Sequence, residues 1–164
     1  MRYDFNADEM LKIAIRIEEN GARFYRKAAE RQSELRNRET LEQLAGMEDT
    51  HKVTFEKMRT RISEAEKTQT VFDPLNESAQ YLAAMADTHG GEGSPAAADA
   101  LTGKESITEI IDIALGLEKE SILFYIGLKD MVPPNLGRDR LDDIIRQERQ
   151  HIIQLNSFRR KLQA

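Results

Sequence analysis

Apolar residues recur at three- and four-residue spacings through four stretches of this chain, the signature of helices with one buried face. Leu11, Ala14, Ile15, Ala22, Tyr25 and Ala29 form the first stripe, between about Asn6 and Arg31. Leu41, Leu44, Ala45, Phe55 and Met58 form the second, between about Asn37 and Glu64. The third starts near Ser106 with Ile111, Ala114, Leu115, Ile122, Tyr125 and Leu128, and the fourth, from Gly137 to Lys161, carries Leu141, Ile144, Ile145, Ile152, Leu155 and Phe158. Asn6 with Glu9, and Ser106 with Glu109, have the spacing of capping boxes, and Pro133 with Pro134 stops the third helix. Residues 65–105, with Gly90, Gly91, Gly93 and Pro95, are too many for a tight turn. A helix of about 26 residues is ~40 Å long, so this stretch suits a connection that traverses a bundle, and Glu77 to Ala86, with Tyr81, Leu82 and Met85 on one side, predicts a short helix within it. The expected fold is all-α: a four-helix bundle of two antiparallel hairpins joined by a long crossover, in one domain spanning 1–164.

Charged residues interrupt these stripes at repeating positions. Glu18, Glu48 and His51 in the first half recur as Glu118, Glu148 and His151 in the second, displaced by 100 residues without a gap. The same displacement carries Ile13, Ala14, Phe24, Tyr25 and Leu41 onto Ile113, Ala114, Phe124, Tyr125 and Leu141, so whole helices repeat. Residues three apart share a helix face, so Glu48 and His51 point the same way, as do Glu148 and His151. Glu18 and Glu118 stand inside apolar stripes and must face the core, whereas Glu19 and Glu120 fall off them and are expected in solvent. Four carboxylates and two imidazoles therefore converge on the bundle axis. Burying four bare carboxylates costs several kcal/mol each, and their repulsion adds to it. Two divalent ions bring +4 against −4, and mixed oxygen and imidazole donors suit iron or manganese better than magnesium or a structural zinc. A dinuclear centre follows, with its ions about 3.5–4 Å apart.

Composition narrows the rest. The chain is 32% charged with a formal net charge of −5, and its basic residues are dispersed except for Arg159, Arg160 and Lys161 near a helix C-terminus. Nucleic acid is not an expected partner. No cysteine is present, which excludes disulfides, thiol catalysis and Cys-ligated iron or zinc. No apolar run reaches the roughly 20 residues of a membrane span, and Met1 to Asn6 lacks the pattern of a signal peptide, so no membrane partner and a cytoplasmic location are expected.

One Glu-x-x-His in an acidic helical chain arises readily by chance. Two such pairs, each about thirty residues after a Glu set in an apolar stripe, match the ligand pattern of di-metal carboxylate bundles. The sequence here resembles the rubrerythrin-like branch of the ferritin-like superfamily, with residues 6–62 and 106–162 carrying the match. The resemblance implies two iron ions per chain, with manganese or zinc as alternatives. It also implies Glu48 and Glu148 as bridging ligands, Glu18 with His51 and Glu118 with His151 as terminal ligands, and Tyr25 and Tyr125 beside the ligands. Rubrerythrins proper usually carry a further ligand Glu on the third helix three residues beyond the first, where this chain has Ser121. They also carry a Cys-rich rubredoxin domain, of which there is no sign here, so electrons are expected from a separate protein.

The expected function is that of a non-haem di-iron oxidoreductase acting on Fe(II), dioxygen or peroxide in iron or oxidative-stress metabolism. The alternatives are iron binding or storage, and a non-catalytic bundle stabilised by metal. A homodimer, domain-swapped through the long crossover, is the expected assembly. His89, among Gly and Thr in the crossover, reads as a solvated loop residue, and the methionines at 47, 58, 85 and 131 read as core filling.

Overall fold

The computed structural model describes residues 7–62, 96–131 and 138–162, together with Glu77 and Gln80, and the described elements are all helical. Their order is α1 (Ala7–Glu30), α2 (Leu35–Arg59), the one-turn α3 (Ala96–Ala100), α4 (Ile107–Met131) and α5 (Arg138–Leu162). The Asn6 capping box, the stop at Pro133 and Pro134, the helix expected from Glu77 to Ala86, and His89 lie wholly or mostly outside the described residues.

The capping box at the start of α4 forms in full. The Glu109 backbone N–H donates to Ser106 Oγ at 3.2 Å, while the Ser106 N–H donates back to Glu109 Oε2 at 2.7 Å, so two orphan donors of the first turn are satisfied reciprocally. Just before it, Gly103 sits at φ +82°, a left-handed conformation that suits glycine. Glu105 gathers that turn by accepting the N–H groups of Thr102 and Gly103 at 2.8 and 2.9 Å. Helix α2 begins two residues earlier and ends five earlier than its apolar pattern suggested. At its end Thr60 stays helical but Arg61 and Ile62 bond back only three residues, to Met58 and Arg59, which tightens the last turn and closes the helix. Periodicity follows side-chain burial, and Ile62 is buried just beyond the helix end.

Cross-helix pairs give the directions. Asp8 meets Arg59, and Glu19 meets Lys52, so α1 and α2 are antiparallel; Asp112 meets Arg159, and Lys129 meets Asp142, so α4 and α5 are antiparallel too. Between the hairpins, Tyr25 bonds Glu118 and Tyr125 bonds Glu18, which makes α1 and α4 antiparallel neighbours. Each half-chain thus occupies the place its repeat would reach by a half-turn about an axis between α1 and α4.

The buried apolar residues fall into two clusters. One joins the start of α1, the end of α2, the end of α4 and the start of α5 through Leu11, Ile17, Phe55, Met58, Phe124, Leu128, Leu141 and Ile144. The other joins the opposite ends through Phe24, Ala28, Leu41, Leu44, Ile110, Ile111, Leu155 and Phe158. Mid-helix positions 18, 48–51, 118 and 148–151 lie between them, so a layer of charged residues divides the core. Phe55 is fully buried with its ring centroid 5.2 Å from that of Tyr125. Phe55→Ala is therefore expected to cost about 3–5 kcal/mol, read as a melting temperature lower by about 10 °C for a chain of this length.

Candidate metal centre

Each helix contributes from its middle. Glu18 and Glu118 are buried completely, flanked on their own helices by Ala14 and Ala22 and by Ala114, Leu115 and Ser121. Glu48 and His51, and Glu148 and His151, lie one turn apart on α2 and α5 and are likewise buried. All six expected residues come together. His51 Nδ1 lies 2.9 Å from Glu148, 3.3 Å from Glu18 and 3.4 Å from Glu48. His151 Nδ1 mirrors it, 2.9 Å from Glu148, 3.2 Å from Glu48 and 3.3 Å from Glu118. The two rings are nearly parallel, inclined by 19° with centroids 5.5 Å apart.

Two groups of four donor residues result, Glu18, Glu48, His51 and Glu148, and Glu48, Glu118, Glu148 and His151, the offered atoms of each within 4.8 Å of one another. Glu48 and Glu148 belong to both. Both oxygens of each shared carboxylate, and Glu18 Oε2, are shut off from solvent without a hydrogen bond among the described residues. The imidazoles come within ion-pair range of these oxygens but lack the alignment of hydrogen bonds to Glu48 and Glu148. Buried acceptors are ordinarily satisfied, and orphan oxygens grouped with two imidazole nitrogens suit a pair of divalent cations with mixed oxygen and nitrogen preference.

The terminal carboxylates have outside support. The Tyr25 hydroxyl donates to Glu118 Oε1 and the Tyr125 hydroxyl to Glu18 Oε1, each reaching across from the other half of the chain. On the far side of the His51 ring, Nε2 lies 3.2 Å from Gln147 Oε1. Gln147 carries no signal in the sequence. It is an exposed polar residue on a highly charged helix, one of several, and only its position across from α2 gives it a role.

The charges settle unevenly. Burial, reinforced by the charge of Glu148, pushes the Glu18 carboxyl well above its usual range, and burial with the charge of Glu48 does the same to Glu118. Burial also works against ionisation of Glu48, but the imidazoles of His151 and His51 within ion-pair range overcome it and hold the pKa of that carboxyl at about 2. Glu148 is depressed for the same reason, against burial and its repulsion with Glu48. Burial opposes charge on the imidazoles too, yet the surrounding carboxylates raise His51 far above its ordinary value and push His151 up to about 12. These directions favour protons on the histidines and on Glu18 and Glu118 wherever metal is absent.

Glu19 is half exposed and pairs with Lys52 at 2.7 Å, as its place off the stripe suggested. Glu120 differs: it is partly buried, and its Oε2 is shielded without a hydrogen bond among the described residues. A helical wheel reports only a residue's own helix, while exposure is decided by the neighbours as well.

Several comparisons bear on this arrangement. Solved structures with the same overall fold include a candidate ferritin-like diiron-carboxylate protein of Thermotoga maritima, 25% identical over 95% of each chain with a TM-score of 0.68. A hypothetical protein of Pyrococcus furiosus is 23% identical, with 96% of this chain and 90% of that one covered at the same TM-score. No match is found among curated protein sequences. No helix among the described residues is long and apolar enough to cross a membrane. The profile of the rubrerythrin family matches residues 9–159, nearly the whole length, and the chain belongs to that family.

Proposed function

We propose that the buried cluster holds two iron ions and that the protein is a non-haem di-iron oxidoreductase, acting on Fe(II), dioxygen or peroxide. The observation that carries this reading is the pair of four-residue donor groups sharing Glu48 and Glu148. In it, Glu18 with His51 holds one ion, Glu118 with His151 holds the other, and Glu48 and Glu148 serve both. Bound iron would supply one-electron redox chemistry at the bundle axis. The chain does the remaining work. Tyr25 and Tyr125 hold Glu118 and Glu18 in place through their hydroxyls, and the apolar clusters on either side keep bulk water from the layer. Glu18, Glu118, His51 and His151, whose protons metal would displace, can take them back when it leaves. Electrons would come from a separate protein, since the chain has no cysteine for a thiolate-ligated iron centre. A homodimer, exchanged through the crossover, and a cytoplasmic location complete the proposal, the former tested by sizing in solution.

Anaerobic Fe(II) titration followed by mixing with oxidant tests the chemistry. Two Fe(II) per chain and oxidation faster than that of free Fe(II) are expected, with dioxygen the better oxidant. Ser121 is buried one turn beyond Glu118 where a second carboxylate would extend the donor set. Ser121→Glu should therefore raise the peroxide rate relative to the dioxygen rate. Tight binding of two ions with no acceleration by either oxidant would instead favour storage or a metal-stabilised bundle.

A further inference from the structure

The two halves of the centre repeat in their ligands but not behind the two histidines. Behind His51, the Gln147 amide oxygen faces Nε2 at 3.2 Å, and its nitrogen faces the carbonyl of Asp143 at 3.4 Å, which orients the amide. An amide oxygen can only accept, so what it can hold is an N–H at Nε2, while Nδ1 is turned to the carboxylates. Behind His151, Nε2 is buried and has no hydrogen-bond partner among the described residues. The 100-residue displacement explains the difference. It maps Gln147 onto Met47, whose thioether is at best a weak acceptor.

We infer that Gln147 is a positioning residue that makes the two metal positions unequal, the one formed with His51 binding more tightly than the one formed with His151. This rests on the two-metal reading above. A ligating histidine whose distal N–H is held by a carbonyl is fixed in tautomer and ring angle and is a more basic ligand, and loss of such a partner typically costs about 10–100-fold in metal affinity. His51 has that support and His151 lacks it. The centre should load in order, the Glu18 and His51 side first.

Zinc titration of protein carrying 15N-labelled histidine tests the order, because the chain has only three histidines to resolve, at positions 51, 89 and 151. At one equivalent of zinc, the His51 ring signals are expected to shift while those of His151 wait for the second equivalent. Gln147→Met should shrink the preference from about 10–100-fold to within about threefold. The exchange Gln147→Met with Met47→Gln should reverse it, so that His151 shifts first. Gln147 is exposed and Met47 half-buried, so neither change empties the core. An order of filling that is the same in the parent and the exchanged protein, or equal filling in the parent, overturns the inference and leaves the two-metal reading standing. Failure to take up any zinc would overturn both.

Discussion

Stripping the metal at pH 7 is expected to lower the melting temperature by about 10–20 °C. An ion present at a hundredfold its dissociation constant stabilises the folded state by about 2.7 kcal/mol, so two contribute about 5 kcal/mol, and each kcal/mol is worth about 2–4 °C in a chain of this size. The gap should depend on pH in a stated direction. In stripped protein, Glu18 and Glu118 titrate above the ordinary carboxyl value of 4.5 and His51 and His151 above the ordinary 6.5. The folded state then binds protons more tightly than the unfolded chain, a contribution that is complete below those ordinary values and is lost as pH rises. Glu48 and Glu148 act the other way, but their contribution is lost only below the ordinary carboxyl value, as pH falls toward about 2 for Glu48. Between pH 5 and 8 the stripped protein should therefore become less stable with rising pH. Metal requires deprotonated ligands, so the loaded protein should gain over the same range, and the two melting curves should diverge. Calorimetric titration in buffers of different ionisation enthalpy should also show about two to four protons released as two ions bind. Parallel pH dependences for the two forms would show that protons and metal do not compete for one site.

The second large effect is expected at the shared carboxylates. Glu48→Ala or Glu148→Ala removes an oxygen donor from both four-residue groups at once, whereas Glu18→Ala touches one. After desalting, elemental analysis should find close to no bound metal in the first two variants and about one ion per chain in the third. The same substitutions should also be felt by the stripped protein. In stripped protein the ionised Glu48 lies between the two raised imidazoles, and removing one partner of a buried charge cluster leaves the others uncompensated, so stripped Glu48→Ala should melt below the stripped parent. If Glu18→Ala and Glu48→Ala lose metal equally, the shared role assigned to Glu48 fails.

Helix identity, the two-hairpin order and the convergence of six side chains were legible along the chain because each depends on spacing within one helix. A Glu inside an apolar stripe must be buried wherever that helix packs, and a Glu three residues before a His must share its face. The exact 100-residue repeat then implies that both hairpins present the same groups. Helix ends were less legible. Ile62 continues the apolar pattern of α2 beyond Arg59, where the hydrogen bonds have already tightened and the helix has closed.

Relations between helices had no such signal. That Tyr25 supports Glu118 rather than Glu18, its neighbour two turns back, follows from α1 and α4 lying antiparallel, which no pattern within either helix encodes. The part-burial of Glu120 and the contact of Gln147 with His51 are likewise decided by what packs opposite. The chain alone determined which residues are carried into the core, because burial follows from periodicity. Only the tertiary structure decided which of them face each other and which lack a partner, because those distances depend on the register between helices far apart in sequence.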